Sequence, residues 1–338
     1  MLSDSLIDQI LTALPARRIG VLGDLFLDRY LDIDAALTEP SVETGLDAYQ
    51  VVRVRSYPGA LGTVINNLAA LGVGTIRPIA FYGDDGEGYE LQQALAQWPV
   101  VHARRGLLVA PSRRTPTYAK PILVRTGEQP RELNRLDIKN RTPTSRAVET
   151  IMTQYLDACW NEVDALIVLD QVSERNCGVV TDHVRKHLAE LAHRDPDRFV
   201  LADSRERVRE FENVCVKPNQ REAEAFPGGP AAFAKHLGRH VFQTRGESGI
   251  ELFRPDGTSV HVPAYPVTGP TDIVGAGDST SAGIACAVMA GATYEQAAAF
   301  GNLVASITIQ QIGVTGTATP DQVRERWVQA SVAASAAR

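Results

Sequence analysis

The sequence predicts an α/β protein: a mostly parallel central sheet, helices on both of its faces, and a small β-sheet lid. Three observations carry this expectation. Short apolar runs alternate with longer helical patterns along nearly the whole chain, as strand–helix–strand units do. Two stretches break that rhythm with β-type alternation and no helix between. The 338 residues, 44% hydrophobic and 22% charged, suffice for one large core without a disulfide or structural metal.

Taken in order, an amphipathic helix opens the chain and ends near Pro15. The first strand, Arg18–Gly23, is a short apolar run. Further strands are expected over 75–81, 163–169, 199–202, 214–216, 240–244 and 249–253. Helices are expected over 63–71, 88–97, 145–160, 178–192, 220–226, 279–290, 294–310 and 320–333. The two irregular stretches, about 26–57 and 112–138, contain Val52/Val54 and Tyr118/Lys120/Ile122/Val124 in alternation. Paired, they would form a flap beside the C-terminal ends of the sheet strands, over a ligand crevice. No repeat, low-complexity tract or linker divides residues 1–338, which read as a single domain carrying this lid.

Composition excludes several classes. A net charge of −6 argues against a nucleic-acid surface built on bulk basicity. Cys159, Cys177, Cys215 and Cys286 are scattered with no C-x-x-C, which suits a reducing compartment. Asp4 and Asp8 interrupt any signal-peptide core, and no apolar run is long enough to span a membrane, so the cytoplasm is the expected location. There is no Gly-Lys dipeptide, hence no Walker A loop. The dinucleotide glycine fingerprint, the G-x-S-x-G elbow and H-E-x-x-H are also missing.

The segment that carries chemistry is Thr271-Asp272-Ile-Val-Gly275-Ala276-Gly277-Asp278. Small residues leading into a helix let consecutive backbone N–H groups form a nest for phosphate or an oxyanion. A carboxylate at its edge can take a hydroxyl proton while the nest offsets charge on a transferred phosphoryl group. Asp278 alone would equally serve as a helix cap. Lys217-Pro-Asn219-Gln-Arg-Glu222 opens another helix after a strand. Asn219 and Glu222 share a face and can hold a hydrated Mg²⁺, or close a capping box. Thr244-Arg-Gly246-Glu-Ser-Gly249 follows a strand and fits either a backbone turn close to a nucleotide or a plain hairpin.

These three motifs in this order, each at a strand end, resemble the PfkB (ribokinase-like) family of sugar and nucleoside kinases. Gly23-Asp24-Leu-Phe-Leu-Asp28-Arg-Tyr and Pro58-Gly59-Ala-Leu-Gly62-Thr63 agree with its upstream signatures. Among its members, the opening and the stretch ending Arg135-Leu-Asp137 are similar to heptose-7-phosphate kinases. The resemblance implies a ribokinase-like three-layer sandwich, ATP and Mg²⁺. It assigns Asp278 as general base and Gly275, Ala276 and Gly277 as the anion hole. Asn219 and Glu222 would lie near Mg²⁺ and phosphate, through water. Thr244, Gly246, Gly249 and Asn302 would meet the nucleotide. Asp28, Gly59 and Thr63 would line the sugar site. Lys120 and Arg135 on the lid, with Arg205, are candidates for an acceptor phosphate. A monovalent cation such as K⁺ near the glycine motif would use Asp272.

Four departures stand out. The usual glycine pair is Gly59-Ala60, Thr63 replaces a sugar-touching asparagine, and Val274 replaces a threonine. The loop Asp170-Gln-Val-Ser-Glu174 lacks the lysine of the heptose kinases. The expected function is therefore an ATP-dependent kinase for a hydroxyl of a sugar or sugar phosphate, with a homodimer formed through the lid. The alternatives are a nucleoside or other small-alcohol kinase of the same fold, and a non-catalytic sugar- or nucleotide-binding sensor. A nicotinamide-dependent oxidoreductase fits the fold class but lacks its glycine fingerprint.

Overall fold

Strand β1 (Arg18–Gly23) is buried at every position after Arg18. Successive strand side chains point to opposite faces, so both faces of the sheet are covered here. The computed structural model describes residues 2–336. Helix α1 (Asp4–Ala13) precedes β1. Then come β2 (Leu25–Asp34), the two-residue pair β3 (Glu39–Pro40) and β4 (Asp47–Ala48), β5 (Val51–Ala60), α2 (Leu61–Ala70), β6 (Thr75–Tyr82), α3 (Gly86–Leu95) and β7 (Leu107–Val109). The middle of the chain forms β8 (Thr117–Val124), β9 (Arg131–Glu132), β10 (Leu136–Ile138), α4 (Arg146–Trp160), β11 (Ala165–Asp170), α5 (Asp182–Arg194) and β12 (Phe199–Ser204). The last third forms β13 (Cys215–Val216), α6 (Gln220–Ala223), α7 (Gly229–Leu237), β14 (Val241–Thr244), β15 (Ile250–Phe253), β16 (Ser259–Val262), α8 (Ala276–Met289), α9 (Tyr294–Thr308) and α10 (Pro320–Ala336).

Among the described residues the large sheet has nine strands in the order β16-β15-β14-β13-β12-β11-β1-β6-β7. It is parallel from β7 through β14 and antiparallel at β15 and β16. The chain leaves β1 toward β6 on one side and later returns to β11 on the other. That reversal opens a crevice at the C-terminal ends of the strands, where α/β sheets bind ligands. The smaller sheet, in the order β10-β8-β2-β5 with β9 on β8, rises from that end. Strand β2 grows straight out of β1, so the lid is anchored in an interior strand of the large sheet.

The α/β class, the parallel sheet and the lid strands match the sequence expectation. The helix expected over 178–192 begins only at Asp182. Val179 ahead of it donates its N–H to Asp24. Three elements escape the apolar-run reading. Helix α7 opens with Gly229-Pro230 behind the Gly228 cap, a stretch that reads as a turn but is a helix start with proline in its first turn. Strands β7 and β16 are edge strands too short and too exposed to show periodicity.

Candidate active site

The catalytic candidates gather at strand ends. The ends of β12 and β14 supply Asp203 and Thr244, the segment after β13 and the start of α6 supply Lys217, Asn219 and Glu222, and the start of α8 supplies Asp278. Gly275 caps α8 in the left-handed region, with φ 80°. A Cβ there would also press within 3.2 Å of the Thr63 methyl, so glycine is needed on both counts. The N–H of Ala276 is spent on the Ile273 carbonyl at 3.1 Å, which removes it from the expected anion hole. Among the described residues, the N–H groups of Gly275, Gly277 and Asp278 have no acceptor. They are the orphan donors of a helix start, where the macrodipole also favours an anion.

The Asp278 carboxylate is half-buried and, among the described residues, has no hydrogen-bond or ion-pair partner. Burial, then the negative charge of Asp203, push its pKa up to about 7, against the pull of Lys217 and Arg205. Lys217 is a site residue that motif reading passed over. Its ammonium meets Asp203 at 2.6 Å and would lie 3.5 Å from a Cβ on Gly277. Burial opposes its charge, but Asp203, Glu222 and Asp278 hold its pKa above the ordinary lysine value. Its lysine-proline-asparagine context was visible in the chain. What was not visible is the buried aspartate 14 residues earlier, one strand over.

Asn219 and Glu222 do form a capping box: Asn219 Oδ1 accepts the N–H of Glu222 at 2.9 Å, and Glu222 Oε2 accepts that of Asn219 at 2.8 Å. Among the described residues, the second oxygen of Glu222 has no hydrogen-bond or ion-pair partner. Burial and Asp203 push this carboxyl up to about 7, the mark of a site short of positive charge. An all-oxygen set with a spare carboxylate oxygen suits a hydrated Mg²⁺. Asn219 and Thr244 are bridged across the ends of β13 and β14, so the Thr244–Gly249 turn faces the same region. Gly249, at φ 93°, admits no side chain, since a Cβ would lie 2.3 Å from the Val262 carbonyl oxygen. This turn is also the hairpin between β14 and β15. Asn302 is buried, and its amide donates to the Val262 and Pro263 carbonyls at 3.1 and 3.0 Å. It fastens the segment after β16 rather than holding an open hand toward a base. Asp272 accepts from the N–H groups of Val274 and Gly313, each at 3.0 Å. These two bonds tie the start of the glycine motif to the Gly313 turn, and a monovalent cation would use the lone pairs that remain.

On the lid side, Asp28 is buried and paired with Lys120 at 3.1 Å. Lys120 also donates to the Tyr30 hydroxyl at 3.1 Å and lies over that ring. Its charge is committed to Asp28, not held open for a phosphate. Arg135 likewise grips Asp137, at 2.6 and 2.8 Å, and stacks 4.0 Å from the Tyr118 ring centre. Gly59 passes so close to Asp28 that a Cβ would lie 2.6 Å from its Oδ2. Thr63, expected at the sugar, is buried on α2 with its methyl against the glycine turn. Asp24 is buried and accepts from Gln171, Val172 and Val179 at 2.7–2.9 Å, tying the loop after β11 to the start of the lid. That loop, with Phe26, Phe81 and Tyr118, walls a pocket under the lid.

Solved structures share this architecture. Ribokinase from Thermotoga maritima aligns with a TM-score of 0.60 at 20% identity, covering 92% of this chain and 99% of its own. Ribokinase from Arabidopsis thaliana, solved with ribose and ATP, gives 0.63 at 16%, covering 92% and 98%. A putative ribokinase II from E. coli, solved with ATP and Mg²⁺, gives 0.65 at 16%, covering 93% and 99%. At such identities they define the class of fold, a ribokinase-like α/β kinase fold. The pfkB family carbohydrate kinase model matches residues 27–322. The chain belongs to that family, whose members are phosphotransferases acting on sugar hydroxyls. Curated relatives include the bifunctional protein HldE of Trichlorobacter lovleyi, 27% identical over 90% of this chain, and that of Gluconacetobacter diazotrophicus, 29% identical over 89%. The chain spans about three fifths of their length, 61% of each.

Proposed function

We propose that this chain is an ATP-dependent kinase that phosphorylates one hydroxyl of a sugar or sugar phosphate. The observation that carries the reading is the unbound Asp278 carboxylate beside three free N–H groups at the start of α8. The acceptor hydroxyl gives its proton to Asp278 as its oxygen bonds to the terminal phosphorus of ATP; the bond to the bridging oxygen breaks and ADP leaves. The N–H groups of Gly275, Gly277 and Asp278 neutralise charge growing on the transferred group. Asn219 and Glu222 would hold Mg²⁺ through water, and that ion supplies charge neutralisation on the phosphates. Thr244, Gly246 and Gly249 would border the nucleotide. Asp28, held in place by Lys120, accepts from an acceptor hydroxyl, and Gly59 leaves it room. Relatives solved with ribose, ATP and Mg²⁺ support this choice of ligands. We also place the enzyme in the cytoplasm; among the described residues no helix is long and apolar enough to cross a membrane.

The test is ADP release from Mg·ATP across hexoses, heptoses, their phosphates and nucleosides, with Asp278→Asn beside the wild type. Turnover with at least one sugar, lost by about a thousandfold in the variant at unchanged ATP affinity, is expected. Tight sugar binding with no turnover on any acceptor would identify a sensor instead.

A further inference from the structure

One loop, residues 171–179 after β11, supplies a wall of the pocket under the lid. It contains neither helix nor strand, so no secondary structure of its own fixes it. Its backbone is held instead by buried charged side chains from other segments. On the N–H side, Asp24 accepts from Gln171, Val172 and Val179. On the carbonyl side the holders are two arginines. Arg207 is 6% exposed; Nη1 donates to the Ser173 carbonyl at 2.9 Å and Nη2 to that of Val172. Its Nε and Nη2 also grip the two oxygens of Asp170, at 3.1 and 2.6 Å. Arg113, equally buried, donates from Nη2 to the Cys177 carbonyl at 2.5 Å and from Nη1 to the Thr142 carbonyl at 2.8 Å.

Among the described residues Arg113 has no carboxylate partner; its charge rests on carbonyl and hydroxyl oxygens and over the Phe81 ring, 5.6 Å from the centre. Burying a guanidinium is costly, and neutral oxygens offset that cost less than an ion pair does. A hydroxyl or amide donor would close the loop without it. What a guanidinium adds is geometry, because its planar fork fixes several acceptors at once. Arg207 joins two loop carbonyls to Asp170, and Arg113 joins a third to the segment after the lid strands. Neither arginine lines the pocket. The side chains of Gln171 and Ser173 do line it, and among the described residues neither has a hydrogen-bond partner.

We propose that Arg113 and Arg207 are positioning residues for the acceptor: from outside the pocket they hold the 171–179 loop so that Gln171 and Ser173 meet the sugar's hydroxyls at fixed distances. This deepens the kinase reading above and rests on it.

The experiment compares wild type with Arg113→Lys, Arg207→Lys, Gln171→Ala and the double variant Gln171→Ala, Arg207→Lys. Arg198→Lys is the control, since Arg198 is half-buried over Trp160 and bonds to the Val163 carbonyl, away from the loop. Initial rates with Mg·ATP are measured for ribose, fructose 6-phosphate and sedoheptulose 7-phosphate, and the best of the three is taken as acceptor. Amide hydrogen exchange over 171–179 is followed by mass spectrometry. Lysine keeps the charge but loses the fork. Arg113→Lys and Arg207→Lys each raise the acceptor KM about tenfold, leave kcat and the ATP KM within about twofold, and speed exchange in the loop. Arg198→Lys moves neither the acceptor KM nor that exchange. The double variant raises the acceptor KM by less than the product of its two single effects, because Arg207 acts through Gln171. An acceptor KM that stays at the wild-type value, an ATP KM that rises equally, or a double variant equal to the product shows a merely structural role and overturns the proposal. So does loop exchange in the lysine variants no faster than in wild type, a readout that needs no turnover. If none of the three sugars is turned over or bound, the kinase reading falls by itself, and the exchange rates still decide whether the arginines hold the loop.

Discussion

Asp278 is an acid poised near neutrality because burial and Asp203 disfavour its charge more than Lys217 and Arg205 favour it. As a general base it works when deprotonated, so kcat/KM for the acceptor should fall about tenfold per pH unit below pH 7. A flat profile from pH 5 to 8 would exclude it from proton transfer. The same shift bears on stability. The native state keeps this proton between the ordinary value of 3.8 and about 7, where the unfolded chain has released it. The carboxyl therefore costs stability increasingly as pH rises through that window. Asp278→Asn should raise the melting temperature by a few degrees at pH 8 and leave it close to wild type at pH 4, by scanning calorimetry. Ala60 holds a second local cost. It sits at φ 51°, ψ −112°, a region that favours glycine, at the position where the family signature has its second glycine. Ala60→Gly should stabilise the protein by about 1 kcal/mol in urea unfolding, by releasing that strain.

Helix α8 presents Asp278 only if its own position is fixed, and α9 fixes it. Gly283 of α8 faces Gly301 of α9 so closely that a Cβ on Gly283 would lie 2.9 Å from the Gly301 Cα. The collision is with backbone, which cannot swing aside. Gly283→Ala should destabilise by about 1–3 kcal/mol in chemical denaturation and lower kcat, since pushing the helices apart moves the glycine turn. An unchanged unfolding midpoint would show that the pair tolerates separation. The junction of β1 and β2 obeys the same logic. Asp24 holds three N–H groups of the loop after β11, so the lid, the sheet and the pocket wall share one buried carboxylate. Burial and the nearby Asp170 push Asp24 up to about 6 in spite of those three bonds.

At the scale of the whole molecule, the lid leaves apolar surface in water. Val51, Val52 and Val54 are exposed on β5, an edge strand of the smaller sheet. An exposed apolar edge is a pairing surface, which favours the proposed homodimer through the lid. Sedimentation velocity should find a dimer for the wild type and a monomer for the double variant Val52→Lys, Val54→Lys. A wild-type monomer at micromolar concentration would remove the lid from that role.

The fold and the glycine turn beside Asp278 were legible because their signals are local. Apolar periodicity reveals β1, β11 and β12, and a run of small residues before a helix reveals the glycine turn beside Asp278. Asn219 and Glu222 are one helical turn apart, so spacing alone joins them. The acceptor half was not legible in the same way. Lys120 and Arg135 read as free cations for a phosphate, yet their charge is taken by Asp28, 92 residues away from Lys120, and by Asp137. Lys217 is set by Asp203 on the neighbouring strand, and Thr63 is set by the approach of α8. By itself the sequence determined most of the backbone segments that become strands and helices, and the glycine turn before α8, since those depend on neighbours in the chain. Only the tertiary structure decided which charges cancel and which remain, because ion pairing depends on distances between residues that the chain order does not reveal.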